Sequence, residues 1–157
     1  MPRPTSNVLV LDTNIISETL KAQPDKNVLA WLLQNQEYLY LTAVTVGELL
    51  VGAYRLPDGK RRESLLLALE RIVGGYKSRI LAYDSAAAQA YALMQDEAHR
   101  CGRTLTVEDG MIAAICATAN ATLATRNTKD FAHLTHLNLR LVNPFDEPAP
   151  DVVEVRW

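Results

Sequence analysis

The stretch Val8-Leu9-Val10-Leu11-Asp12-Thr13-Asn14 carries the strongest signal of architecture in the chain. Four aliphatic residues in succession, two of them β-branched, stop at a carboxylate. A strand with one wet face alternates apolar and polar side chains, so an unbroken run of this kind is expected of a strand buried on both faces of a parallel sheet. Asp12 then stands at the carboxyl end of that strand, where open α/β sheets place their ligands.

Working outward, residues 13–20 read as a short helix. Asp25, behind Pro24, is placed to cap a second helix that carries Val28, Leu29, Trp31 and Leu32. Residues 38–41 read as a second strand and 44–54 as a helix halted by Pro57-Asp58-Gly59. Residues 60–73 hold Leu65, Leu66, Leu69, Ile72 and Val73 at helical spacing, with Gly74-Gly75 as the expected stop. A third strand follows over 79–83, then an Ala-rich helix over 85–99 terminated at Gly102 and a helix over 106–119. A fourth strand over 122–125, a short helical turn over 128–134 and a fifth strand over 139–142 complete the series. Strands alternating with helices predict an α/β fold, a three-layer α/β/α sandwich around a mainly parallel central sheet. The 157 residues suit one domain, expected over 1–145, with 146–157 as a C-terminal tail.

Composition narrows the function classes. Apolar residues at 48% and charged residues at 22% are ordinary for a folded domain and exclude a disordered or coiled-coil chain. A net charge of −2 supplies no broad basic field, so a polyanionic partner needs a local patch or a bound cation. The longest nearly unbroken apolar stretch, 111–119, is far shorter than the roughly 20 residues of a membrane span. The opening MPRPTSN lacks an apolar signal core, so the expected location is the cytoplasm, with no membrane partner. Cys101 and Cys116 form no CxxC pair and are expected as ordinary thiols, not as a zinc site. His99, His133 and His136 are expected at the surface. No P-loop, G-x-G-x-x-G or nucleophile elbow is present.

Four carboxylates carry the chemistry. Asp12 reads either as the cap of the helix that follows or as a ligand-binding group. Glu48 has Val44, Thr45, Val51 and Gly52 three and four residues away. A carboxylate on that mostly apolar face must reach water, meet an arginine or bind a cation. Asp109 shares a stripe with Ile112, Ala113 and Cys116, while Thr106-Val107-Glu108-Asp109 also resembles a capping box in which Asp is short for the reach. Asp130 follows the fourth strand, with Asn127 a second oxygen donor close by, and alone would be a helix-start acid. Acids brought by several strand ends to one sheet edge repel one another. Their charged forms persist together around a hard divalent cation, Mg²⁺ or Mn²⁺. Such a cation activates a bound water, polarises a phosphoryl oxygen and steadies the leaving oxygen, the three needs of phosphodiester cleavage.

The segments 8–17 (VLVLDTNIIS), 41–49 (LTAVTVGEL), 109–114 (DGMIAA) and 124–131 (ATRNTKDF), in that order, resemble the PIN-domain family and, within it, VapC- and FitB-like toxins of bacterial toxin–antitoxin pairs. The match runs from about residue 8 to Phe145. The resemblance implies a Mg²⁺- or Mn²⁺-dependent endoribonuclease in which Asp12, Glu48 and Asp109 hold the metal and Asp130 or Asn127 completes the catalytic set. Some members carry aspartate where this chain has Asn127. The resemblance also implies a homodimer and a cognate antitoxin with a DNA-binding domain that wraps the toxin and blocks its acidic groove. Thr13, Asn14, Ser17, Thr125, Arg126, Asn127 and Lys129 are the expected RNA contacts, Arg126 and Lys129 because they flank the fourth motif. Arg55 and Lys60-Arg61-Arg62 are further basic residues for an RNA backbone, although a solvated helix face is the commoner meaning of such a run.

Other readings compete. A haloacid-dehalogenase-like phosphatase also begins with an aspartate after strand one, but normally has a second where this chain has Asn14. A non-catalytic module would use the same carboxylates to receive a partner's arginine. A non-toxin RNA-processing nuclease would share the chemistry and lack the neighbouring antitoxin gene.

Overall fold

The aliphatic run forms β1 (Leu9–Leu11), the middle strand of a five-stranded sheet in the computed structural model, which describes residues 7–146. On one side lie β2 (Leu39–Thr42) and β3 (Ile80–Leu81), on the other β4 (Thr122–Ala124) and β5 (Arg140–Val142), giving the order β3-β2-β1-β4-β5. Leu9 pairs with both Leu39 and Thr122, Leu41 with Ile80, and Thr122 with Arg140. The expected mainly parallel sheet is parallel at every pairing among the described residues.

Among the described residues seven α-helices connect these strands: α1 (Thr13–Thr19), α2 (Lys26–Gln34), α3 (Ala43–Tyr54), α4 (Lys60–Gly75), α5 (Ser85–Arg100), α6 (Val107–Thr118) and α7 (Thr128–Phe131). Asp25 caps α2 as expected, accepting from the Asn27 and Val28 N–H groups at 2.8 and 3.1 Å. Past α5, Gly102 takes a left-handed φ of 65° that lets the Arg103 N–H reach back to the Ala98 carbonyl at 2.8 Å. α4 ends at the expected glycine pair, with both glycines still helical. The helix runs through both glycines until the Tyr76 N–H bonds back to Ile72 and Val73, and the Tyr76 side chain packs on the core. Tertiary packing outweighs glycine's weak helical propensity there. The expected helical turn after β4 is one α-turn, α7, followed by a 3₁₀ segment (Ala132–Leu137) that ends at Asn138 with φ 63°.

Alternate strand residues serve two cores. Val10 and Leu123 pack with Met94, Ile112, Ile115 and Phe131 of α5, α6 and α7. Leu11, Leu41 and Ala124 pack with Ile15, Val28, Trp31, Leu49 and Leu69 of α1 to α4. Burial of each large aliphatic side chain contributes roughly 1.5–3 kcal/mol, and strands buried on both faces explain the unbroken apolar run of β1. The sheet order reverses between β1 and β4, which opens a crevice beyond their carboxyl ends. No helix among the described residues is long and apolar enough to cross a membrane. Residues 1–6 of the expected domain and 147–157 of the expected tail lie outside the described residues.

Candidate active site

Asp12 is the first residue past β1, and its N–H continues the ladder to the Ala124 carbonyl at 2.9 Å. Its side chain is almost fully buried. Oδ1 accepts from the Thr13 N–H at 2.8 Å, and Oδ2 from the Thr125 hydroxyl at 2.8 Å and Asn14 Nδ2 at 3.2 Å. Capping α1 and facing the crevice are therefore compatible roles for this one carboxylate. Thr125, expected among the RNA contacts, has 0% of its surface exposed and cannot touch a substrate. Its hydroxyl holds Asp12 and accepts from Asn14 Nδ2 and the Asn127 N–H at 3.2 and 3.1 Å. Asn14 Oδ1 accepts from the Arg126 N–H at 3.1 Å, tying the start of α1 to the segment after β4.

Glu48 arrives from α3, whose cap is the Thr42 hydroxyl accepting from the Thr45 N–H at 3.0 Å. Among the described residues it meets no arginine. The Thr13 hydroxyl donates to Glu48 Oε1 at 2.9 Å instead. Asp109 lies in the first turn of α6, where the Thr106 hydroxyl accepts its N–H at 3.1 Å, half of the expected capping box. The other half does not form, and the Asp109 carboxylate lines the crevice. Its position depends on how closely α6 approaches α5: a Cβ on Gly110 would stand 2.8 Å from Tyr91 Cε2.

Asp12, Glu48 and Asp109 line one cavity of about 410 Å³, together with Thr13, Asn14, Ser17, Arg126 and Asn127. Besides the buried Thr125, two expected members stand off the cavity wall. Asp130 is exposed and off the cavity wall, and reaches the site only as a negative charge felt by Asp109. Lys129 is also exposed and off the wall, its carbonyl accepting from Arg103 Nη2 at 2.9 Å. Both lie on α7, past Asn127. Three further residues line the cavity without having been expected: Glu18, Lys21 and Phe145. The first two carried a signal, because Asn14, Ser17, Glu18 and Lys21 recur at the three- and four-residue spacing of one helix face. Phe145 carried none, since its place depends on how the chain leaves β5. His99 and His136 are exposed as expected, whereas His133 is half-buried, both ring nitrogens without a hydrogen-bond partner among the described residues. A larger hollow of about 530 Å³, lined by residues including Leu29, Leu33, Ile72 and Tyr76, contains no carboxylate.

Burial raises the carboxyl pKa of Asp12, Glu48 and Asp109 above the ordinary value, and for Glu48 and Asp109 the neighbouring carboxylates push it further. Opposing this are the hydroxyls of Thr125 on Asp12, Thr13 on Glu48 and Thr106 on Asp109. Among the described residues none of the three is ion-paired with Lys, Arg or His. Hard oxygen donors whose repulsion no cationic side chain relieves fit a divalent cation by their chemistry. They are not a preassembled cage: among the described residues no three His, Cys, Asp or Glu side chains are gathered closely enough to hold a metal as they stand.

The fold and site together define an α/β protein with an acidic cavity at the carboxyl edge of a parallel sheet. The family model described as PIN domain matches residues 9–137, and the chain belongs to the PIN domain family. It is 40% identical over 144 residues to the protein named VapC ribonuclease Y4jK of Sinorhizobium fredii, covering 90% of this chain and 100% of that one. It is 40% identical over 126 residues to Toxin FitB of Neisseria gonorrhoeae, covering 79% and 91% respectively. A solved structure described as FitAB bound to an IR36 DNA fragment superposes with a TM-score of 0.80 at 36% identity, covering 88% of this chain and 96% of that one. PIN nucleases are as a family dependent on divalent metal.

Proposed function

We propose that this protein is the toxin of a type II toxin–antitoxin pair, a cytoplasmic, Mg²⁺- or Mn²⁺-dependent endoribonuclease that hydrolyses RNA phosphodiester bonds. The observation that carries this reading is the meeting of Asp12, Glu48 and Asp109, from the end of β1 and from α3 and α6, on one cavity, none of them ion-paired among the described residues. The full-length similarity to a VapC ribonuclease supports it.

Asp12, Glu48 and Asp109 would hold the cation, with Asn127 at the cavity wall as a further oxygen donor and Asp130 adding long-range negative charge. When bound, the cation supplies Lewis-acid polarisation of the phosphoryl oxygen and a more acidic water. Thr125 and Asn14 fix the Asp12 carboxylate, and Thr13 fixes Glu48. Asp12 or Asp109 would orient the attacking water and take its proton. Oxygen adds to phosphorus, and the bond to the leaving nucleoside oxygen breaks. Thr13, Asn14, Ser17, Arg126 and Asn127 are placed on the cavity wall to contact the RNA.

The DNA-bound FitAB complex supports a cognate antitoxin with a DNA-binding domain, and we assign this chain a homodimer within a toxin–antitoxin hetero-oligomer. The apolar hollow with exposed Leu29 and Leu33 suits such a partner. A second reading, a non-catalytic module receiving an arginine, is favoured by the open spacing of the carboxylates, because a guanidinium is larger than a metal ion.

The test is cleavage of a panel of transfer and ribosomal RNAs by purified, antitoxin-free protein with Mn²⁺. Cleavage is expected, and is expected to vanish in Asp109→Asn and on chelation. Full cleavage in either case overturns the mechanism, and no cleavage by the unaltered protein favours the binding module.

A further inference from the structure

We infer that Lys21, held in place by Glu18, docks a backbone phosphate of the RNA adjacent to the one that is cut, with Arg126 as its companion; this rests on the ribonuclease reading above. The cavity is divided in charge. Glu48 and Asp109 feel neighbouring carboxylates, and among the described residues neither they nor Asp12 is ion-paired, whereas Glu18 on the same wall is paired with Lys21 and lies in the field of Arg126. A polyanion entering an acidic hollow needs cationic donors on its wall, and among the described residues Lys21 and Arg126 are the two that line it.

The scaffold of each cation is explicit. Glu18 is 6% exposed, its Oε1 accepts from the Asp25 N–H at 3.0 Å at the cap of α2, and its Oε2 lies 2.7 Å from Lys21 Nζ. The ammonium has three donors and this contact uses one, so two remain for a phosphate. The Lys21 side chain is 56% exposed, open to a ligand, yet already held at one end of the cavity. A lysine so anchored loses less rotamer freedom on binding than a free surface lysine. The Arg126 guanidinium lies 4.5 Å over the Phe145 ring, and the Phe145 backbone is pinned by Asn143 Oδ1 and Asn27 Nδ2, each at 3.0 Å. Lys129, the lysine expected from the sequence, has no such place on the wall.

The experiment measures binding of a single-stranded oligoribonucleotide in EDTA across a salt series, alongside Mn²⁺-supported cleavage kinetics. Lys21→Met is expected to reduce the slope of log K against log salt by about 0.7. It is expected to raise KM on the order of tenfold with kcat nearly unchanged, the pattern of lost uniform binding to a charged partner. Lys21→Arg keeps the charge and is expected to keep the slope. The double variant Glu18→Gln/Lys21→Met is expected to stay weak, because the loss is of a phosphate contact and not the unmasking of Glu18. An unchanged slope and KM in Lys21→Met, recovery in the double variant, or no RNA binding by the unaltered protein overturns the inference. Failure of the ribonuclease reading shows separately, as absence of Mn²⁺-dependent cleavage by the unaltered protein in which metal-free binding is intact.

Discussion

Thr125 has no exposed surface, and its hydroxyl still contacts Asp12, Asn14 and the Asn127 backbone. It is a positioning residue. Thr125→Val is expected to lower kcat/KM roughly 10–100-fold, the usual effect of removing a partner of a metal-binding carboxylate. It should also cost about 1–3 kcal/mol of stability by leaving Asp12 Oδ2 short of a donor. Thr125→Ser is expected to restore most of both, so steady-state kinetics and denaturant melts of the pair check the claim. The carboxylates make a second prediction. Their raised pKa means that, between the ordinary carboxylate value and the raised one, the folded chain binds more protons than the unfolded chain. Stability in chelator therefore falls as pH rises through that window. Asp109→Asn is expected to raise Tm at pH 7 in EDTA, and the gain is expected to shrink as pH falls through the raised value and the native carboxyl takes up its proton; a lower Tm at pH 7 would contradict this. Asp12, Glu48 and Asp109 were legible in the sequence because a carboxylate that ends a buried strand or sits on an apolar helix face demands a partner. Thr125's role was not legible, since nothing local says whether a threonine after a strand points at substrate or at a neighbouring carboxylate.

Between elements, the close approach of α5 and α6 sets where Asp109 lies. Gly110→Ala puts a methyl 2.8 Å from the Tyr91 ring, and such overpacking is expected to destabilise by about 1–3 kcal/mol and to reduce cleavage by shifting α6. Pairing it with Tyr91→Ala is expected to relieve the clash and recover part of the activity; urea melts and kinetics of the single and double variants test this. The helices themselves were readable from apolar spacing and caps, as Asp25 before α2 and Gly102 after α5 illustrate. Two boundaries were not. Gly74-Gly75 reads locally as a stop just after Val73, whereas α4 includes both glycines and is capped at Tyr76, which packs on the core. Likewise nothing in residues 128–134 distinguishes an α-turn from the 3₁₀ segment that follows and half-buries His133.

Across the whole molecule, unbroken aliphatic strands alternating with helices were enough to read a parallel three-layer sandwich. The order β3-β2-β1-β4-β5 was not readable, because each crossover can pass to either side of β1 and the choice is made by which helix faces complete each core. That order puts β1 and β4 side by side and brings α1, α3 and α6 around one crevice, so acids from distant stretches act as a unit. The most direct measurement is the change in Tm on adding Mn²⁺ at pH 7, for the unaltered protein and for Asp12→Asn, Glu48→Gln and Asp109→Asn. A cation bound only to the folded state stabilises it by mass action, about 2.7 kcal/mol at a hundred times Kd. The unaltered protein is expected to shift upward by several degrees and each variant to lose most of that shift. An unaltered protein that does not respond to millimolar Mn²⁺, or variants that respond as fully as it does, would contradict the account.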